Sequence, residues 1–271
     1  MRRALVCLAV VVVVVAIAHA DEGPKTSYDT QVVLESVSVA SPYKLSTDAR
    51  AGAIRYRFAL ADGAKWHWPE TGEQHVVADD DGVATVTICT DCGREPAPSA
   101  EALKAYLRPN AWVDSDDVRV RDFARGAGGG RFDARMDHLV LAVQRRMNGP
   151  ADYAGYKSAR QALIDRSGDC TEFAVLLAAA ARASGIPARV VAGMAYPSHF
   201  LHRQHAFAPH VWMQAWNGAR WVSFDAALGR FDAGHVALAV GDGSPADFAG
   251  VVAIMSKMRI VDAAGVASEA N

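Results

Sequence analysis

Cys170, His210 and Asp225 carry, within 56 positions, the side-chain types of a thiol-based acyl-transfer site. Cys170 opens a nearly uniform apolar run: Phe173, Ala174, Val175, Leu176, Leu177 and four consecutive alanines from Ala178, ended by Gly185 and Pro187. That pattern predicts a helix over Cys170–Ala183 that is buried on all sides. A sulfur at a helix N-terminus meets unpaired N–H groups and about half a positive charge, which favours thiolate. Gly168 lets the backbone approach closely there. A nucleophilic thiol also needs a base, which when protonated lowers the thiol pKa further. His210–Trp216 and Ala219–Asp225 read as two strands around Asn217-Gly218, a strong hairpin signal. A two-residue turn sets Trp216 opposite Ala219, Gln214 opposite Trp221, Trp212 opposite Ser223 and His210 opposite Asp225. Opposed residues share a sheet face, so the carboxylate can fix the ring tautomer and stabilise imidazolium. One bulge would break this register.

Other elements must hold these pieces together. Met136, Leu139, Val140, Val143 and Met147 recur at helical spacing and predict an amphipathic helix, stopped by Asn148-Gly149-Pro150. A second helix is expected from Tyr156 to about Asp165, a strand over Arg189–Tyr196, and a loop over Pro197–Pro209. Upstream, 28–40, 53–60 and 83–89 read as strands. Ile54-Arg55-Tyr56-Arg57-Phe58 and Val83-Ala84-Thr85-Val86-Thr87-Ile88 alternate with the period of half-buried strands. Asp62-Gly63, Pro69, Thr71-Gly72 and Asp81-Gly82 supply turns, and Ser99 can cap a short helix. These features predict a β-rich module with a short helix over 21–125. The flexible Gly126-Ala127-Gly128-Gly129-Gly130 joint separates it from a domain over 131–260, with 261–271 as a tail.

Ser167-Gly168-Asp169-Cys170-Thr171-Glu172-Phe173-Ala174, and then Arg182-Ala183-Ser184-Gly185-Ile186-Pro187-Ala188-Arg189-Val190-Val191-Ala192-Gly193, resemble the core of the transglutaminase-like superfamily. His210-Val211-Trp212 and Trp221-Val222-Ser223-Phe224-Asp225 resemble its His and Asp strands. The resemblance covers roughly 136–230. It implies an α+β fold with a papain-like core, in which a buried helix carrying Cys packs on an antiparallel sheet, preceded here by a small antiparallel β module. It also implies a Cys-His-Asp triad at Cys170, His210 and Asp225. The family usually has Pro after its Asp; this chain has Ala226, so the loop that follows is where it departs. Transamidases, cysteine proteases, deamidases and inactive members share the core, so the chemistry is implied more closely than the substrate. The expectation is an acyl-thioester enzyme acting on peptide or carboxamide bonds, a cysteine protease or amidase. Protein-glutamine transamidation and a non-catalytic binding module are the alternatives. The Cys170 N–H is one natural oxyanion donor. The family often adds an upstream side chain, for which Tyr156 and Gln161 are candidates. No cofactor and no metal are expected.

Hydrophobic residues at 51% and charged residues at 21% exclude a disordered, collagen-like or coiled-coil chain. A formal charge of −2 gives no field to hold nucleic acid. Met1-Arg2-Arg3, the apolar run Ala4–Ala18 and Ala18-His19-Ala20 before Asp21 read as a secretory signal peptide over 1–20. The expected location is therefore periplasmic or secreted, with a protein or peptide substrate as partner and membrane contact only through an uncleaved signal segment. Cys7 leaves with that segment. The remaining Cys89, Cys92 and Cys170 predict one disulfide, Cys89–Cys92, and one thiol. His199, His202, His205 and His210 fall within 12 residues, which admits a metal-dependent hydrolase as a competing reading. Trp66-His67-Trp68-Pro69 reads as packed core or edge turn rather than as an exposed patch.

Overall fold

The computed structural model describes residues 36–266 apart from 79–81, 153–154, 198 and 201. The signal-peptide expectation and the first part of the strand expected from residue 28 lie outside the described residues.

The chain enters with β1 (Val39–Ala40) and the Ser46-capped α1 (Thr47–Ala51). β2 (Ala53–Leu60) buries Ile54, Tyr56 and Phe58 and exposes Arg55 and Arg57, as its alternation predicts. β3 (Gln74–Ala78) and β4 (Val83–Ile88) follow. Then come α2 (Ala100–Ala105), α3 (Val118–Gly126), α4 (Phe132–Arg146), α5 (Ala159–Asp165) and α6 (Cys170–Ala183). β5 (Ala188–Ala195) leads to a ribbon of β6 (His199–Phe200) and β7 (Arg203–Gln204) inside the expected loop. β8 (Ala206–Trp216), β9 (Trp221–Phe224), β10 (His235–Gly241), α7 (Val251–Met255) and β11 (Met258–Val266) complete the chain.

These elements stack in three layers. The central antiparallel sheet runs β1-β8-β5-β10, with β9 also paired to β8. On one side α3 to α6 pack Val120, Ala124, Met136, Leu139, Val143, Leu163 and the α6 alanines into one cluster with Val190 and Met213. On the other side Ile54, Tyr56, Phe58, Val86 and Ile88 meet Met194, Phe207, Val236 and Leu238. Covered on both faces, β5 is buried at every position.

Two boundaries differ from the sequence expectation. The joint at 126–130 does not separate packed units: α3, before it, buries Val120 and Ala124 in the same cluster as α4 to α6. Nor do residues 261–266 belong to a tail. β11 crosses the expected boundary at 260 and pairs with β2 from Met258↔Leu60 to Val266↔Ala53, so the N-terminal sheet runs β11-β2-β4-β3. Ile54, Tyr56 and Phe58 are each worth roughly 1.5–3 kcal/mol when buried, together comparable to a domain's net stability. Part of that burial comes from core-sheet residues. Physically, a β module cut at 125 would lose both an edge strand and a covered face.

Candidate active site

α6 starts where the sequence places it because its first turn caps itself. Asp169 Oδ1 accepts the Thr171 N–H at 2.8 Å, and Glu172 Oε2 accepts the Asp169 N–H at 2.8 Å, a capping box. A methyl group on Gly168 would lie 2.5 Å from the Glu172 Cβ, so the box needs glycine there. Cys170 is the first helical residue, half-buried and not in a disulfide. Burial pushes its thiol well above the ordinary range, with Asp169, Asp225 and Glu172 adding to the shift; the Val211 backbone N–H, pointing at the sulfur, offsets part of it. This reverses the expectation from the helix terminus alone. The same cap that builds the terminus places a carboxylate beside the sulfur. Burial and the nearby Asp169 also push Glu172 up to about 8.

The His and Asp strands form a hairpin, but its turn is longer than Asn217-Gly218. Asn217 Oδ1 accepts the N–H of Ala219 and Arg220 at 2.9 and 2.8 Å, and Asn217 N–H bonds Arg220 O at 3.1 Å. The side chain thus draws two more residues into the turn. Pairing begins at Trp216↔Trp221 and runs through Gln214↔Ser223 to Met213↔Phe224, two residues out of the expected register. A shift of one would have turned every side chain to the other face; a shift of two does not. Asp225 therefore still reaches His210, from just beyond the end of β9. Its Oδ2 lies 2.7 Å from His210 Nε2, and its Oδ1 accepts the N–H of Ala227 and Leu228 at 2.7 and 3.1 Å. The turn after Asp225 is thus closed by the carboxylate itself, with Ala226 buried where the family usually has Pro. His210 Nδ1 is the ring nitrogen not engaged with Asp225. The next backbone N–H along β8, that of Val211, is the one at the Cys170 sulfur.

Sequence reasoning missed a second histidine. His235 Nε2 lies 3.0 Å from the same Asp225 Oδ2, and its Nδ1 lies 3.1 Å from Asp232 O. Asp232 is in turn paired with Arg50 of α1 at 2.5 Å. The topology explains the convergence. His210 faces Gly193 across β8–β5, and His235 faces Ala195 across β10–β5. The two histidines therefore flank β5 on one sheet face, and their rings lie 5.6 Å apart. Burial lowers the His235 pKa, but hydrogen bonds to Asp225 and Asp232 dominate and raise it to about 9. Burial likewise opposes ionisation of Asp225, yet His210 and His235 hold its carboxyl well below the usual range. The only sequence signal was Asp232-Ala233-Gly234-His235, an acid and a histidine three apart, which without the β10–β5 pairing points nowhere.

The other candidates have hydrogen-bond partners of their own. The Tyr156 hydroxyl donates to Gly243 O at 2.6 Å, and its ring packs edge-on against Trp112. Gln161 spends its amide on Asp165 at 2.6 Å, on the exposed side of its own short helix. His205 Nδ1 meets the Tyr196 hydroxyl at 3.0 Å, and His202 is exposed. Among the described residues, the ligand-type atoms that converge within 4.8 Å belong to His210, Asp225 and His235. Both imidazoles place Nε2 at hydrogen-bonding distance, 2.7 and 3.0 Å, from one carboxylate oxygen. Cys89 and Cys92 are joined by a disulfide. Trp66 donates Nε1 to Leu238 O at 3.0 Å, and Trp68 packs on Phe58 with ring centres 5.0 Å apart, so this cluster belongs to the inter-sheet core.

Residues 133–226 match the family model of the transglutaminase-like superfamily. The matched segment runs from α4 to the residue after Asp225 and lies in an α+β fold with antiparallel sheets. Among solved structures, it is similar to a protein from Cytophaga hutchinsonii proposed to be a cysteine protease, at 17% identity over 80% of this chain and 84% of that one, with a TM-score of 0.48. It is also similar to the periplasmic domain of TgpA from Pseudomonas aeruginosa, at 22% identity over 70% and 74%, with a TM-score of 0.41. Red sea bream transglutaminase aligns at 10% identity over 75% and 51%, with a TM-score of 0.36. No curated protein matches the chain significantly. Among the described residues, no helix is long and apolar enough to cross a membrane.

Proposed function

We propose that this protein is a thiol enzyme that opens peptide or carboxamide bonds through an acyl-thioester on Cys170. The observation that carries this is the His210–Asp225 bond of 2.7 Å, which commits Nε2 to the carboxylate and keeps Nδ1 for exchange with the thiol beside Val211. Because burial holds the thiol up, His210 acts as a general base at the moment of attack, rather than waiting in a preformed ion pair. The Cys170 sulfur adds to the carbonyl carbon as its proton passes to His210. The oxyanion so formed is met by the Cys170 N–H. Collapse breaks the C–N bond, and His210 returns the proton to the departing amine or ammonia. Water, deprotonated by His210, then attacks the thioester, yielding a carboxylic acid and the thiol. Asp225 orients the ring throughout. Hydrolysis is preferred to amine transfer because the proposed signal segment sends the chain to an aqueous extracytoplasmic compartment, where a protein or peptide is the substrate.

Mass spectrometry of the protein after exposure to peptide libraries, with and without added amine, tests this. The expected result is an acyl adduct on Cys170, lost in Cys170→Ala, with more hydrolysed than aminated product. Amine product in excess would reverse the choice of acceptor. Turnover that survives Cys170→Ala but stops with a chelator would overturn the mechanism.

A further inference from the structure

We propose that His235 is a positioning residue for the reacting pair: it shares the Asp225 Oδ2 with His210 and, backed by Asp232 and Arg50, balances the charge against which His210 exchanges its proton. This deepens the assignment of Cys170, His210 and Asp225 and rests on it.

The geometry is that of a closed chain. His235 is 2% exposed and Asp225 2% exposed, so their contact is out of water. Four donors surround the Asp225 carboxylate: two ring Nε2 groups on Oδ2, and the Ala227 and Leu228 N–H on Oδ1. A carboxylate has about four lone-pair sites, so Asp225 is saturated and its orientation fixed. The charged and titratable groups facing His235 are Asp225 beyond β9, Asp232 on its own turn, His210 on β8 and, behind Asp232, Arg50 of α1. Tyr56 of β2 closes the back by donating to Ala233 O at 2.7 Å, and Trp212 and Phe231 pack their rings on the imidazole.

With His235 cationic, as its two aspartate partners favour, Asp225, His235, Asp232 and Arg50 sum to no net charge. His210 then gains and loses its proton beside a neutral set. Remove the His235 charge, and an uncompensated Asp225 carboxylate would hold the His210 proton too firmly for it to be passed on. Two charges at the 5.6 Å ring separation, at an effective dielectric constant between 20 and 80, correspond to about 0.5–2 pH units.

The test uses proton NMR of the 15N-histidine-labelled protein, together with the pH profile of turnover. Two exchange-protected Nε2–H protons are expected, from His210 and His235 on one oxygen, besides the Nδ1–H of cationic His235 at Asp232 O. In His235→Gln the His235 signals should vanish and the His210 proton move downfield, while the acidic limb of kcat/KM, on which His210 becomes the free base, moves up by about 0.5–2 pH units. A role in packing alone would lower activity without moving the limb or the remaining proton. Should His235→Gln fail to fold, Asp232→Asn keeps the ring in place, and its His235 proton should be lost at lower pH than in the unaltered protein. A single protected Nε2 proton in the unaltered protein would overturn the proposal, as would an unmoved His210 signal in folded His235→Gln. The NMR result needs no turnover. An inactive protein with both Nε2 protons present would therefore refute the enzyme reading and leave the shared-carboxylate arrangement standing.

Discussion

Gly193 is where fold and site can be disturbed with one methyl group. It sits in β5 between His210 on β8 and Ala237 on β10. A Cβ there would lie 2.1 Å from Val236 O and 3.1 Å from the Ala237 Cα and Leu238 N. All three are backbone atoms of β10, so no side-chain rotation relieves the overlap. β10 must retreat by roughly 1 Å, which strains or breaks two or three ladder hydrogen bonds, each worth about 0.5–1.5 kcal/mol net. Added to the usual cost of overpacking, about 1–3 kcal/mol, Gly193→Ala should destabilise by about 2–5 kcal/mol. The same retreat carries His235 away from Asp225, and a misplacement of about 1 Å can cost on the order of 100-fold in rate. Urea unfolding followed by far-UV circular dichroism reads the first effect, and kcat on a peptide substrate reads the second. A stability change below about 0.5 kcal/mol with unaltered kcat would refute the reasoning, because β10 would have to yield freely where its packing says it cannot.

Asp225→Asn should lower kcat by about 10²–10⁴-fold with little change in KM, since the carboxylate acts through His210; a change confined to KM would count against that role. Alkylation of Cys170 by iodoacetamide should be slower at pH 6 than that of free cysteine and should rise only at alkaline pH, because burial and Asp169 oppose thiolate; a fast reaction at pH 6 would show a preformed ion pair instead. His235 has a folded pKa raised from 6.5 to about 9, so its contribution to stability is complete below 6.5 and is lost as pH climbs toward 9. That loss is on the order of 3 kcal/mol, to be read from urea midpoints between pH 6.5 and 9, and it should be absent in His235→Gln.

What was legible in the sequence was local. α6 begins at Cys170 and ends at Ala183 as expected because Asp169, Glu172 and an unbroken apolar run act within one or two turns. β2 and β4 announce themselves by alternation. The hairpin was visible, but its register was not. Asn217 has two turn chemistries open to it, a two-residue turn with Gly218 or side-chain capture of the Ala219 and Arg220 N–H, and tertiary context selected the second. β3, β10 and β11 were missed. β3 is five residues long, and β11 pairs with β2 across some two hundred residues of chain, for which no spacing rule exists. The site followed the same division. Cys170, His210 and Asp225 stand in short motifs, whereas His235 becomes relevant only once β10 lies beside β5.

The N-terminal sheet is more than an appendage to this site. Glu73, just before β3, accepts the Ser223 N–H at 3.1 and 3.0 Å, two residues before Asp225. Gln74 treats Ala237 as a strand neighbour would: its Oε1 accepts the Ala237 N–H at 2.8 Å, and its Nε2 donates to the Ala237 carbonyl at 3.0 Å. Ala237 lies two residues beyond His235, at the bulge where the β10–β5 register shifts. Two consecutive side chains of one module thus hold the two strands whose ends carry Asp225 and His235. Burial pushes the Glu73 carboxyl above its ordinary range, a cost that a merely supportive surface residue would not carry. The pairing of β11 with β2 ties that module to the C-terminal end of the core, so the elements before residue 93 and after residue 257 fix the relative placement of Asp225 and His235 from outside the segment that matches the family.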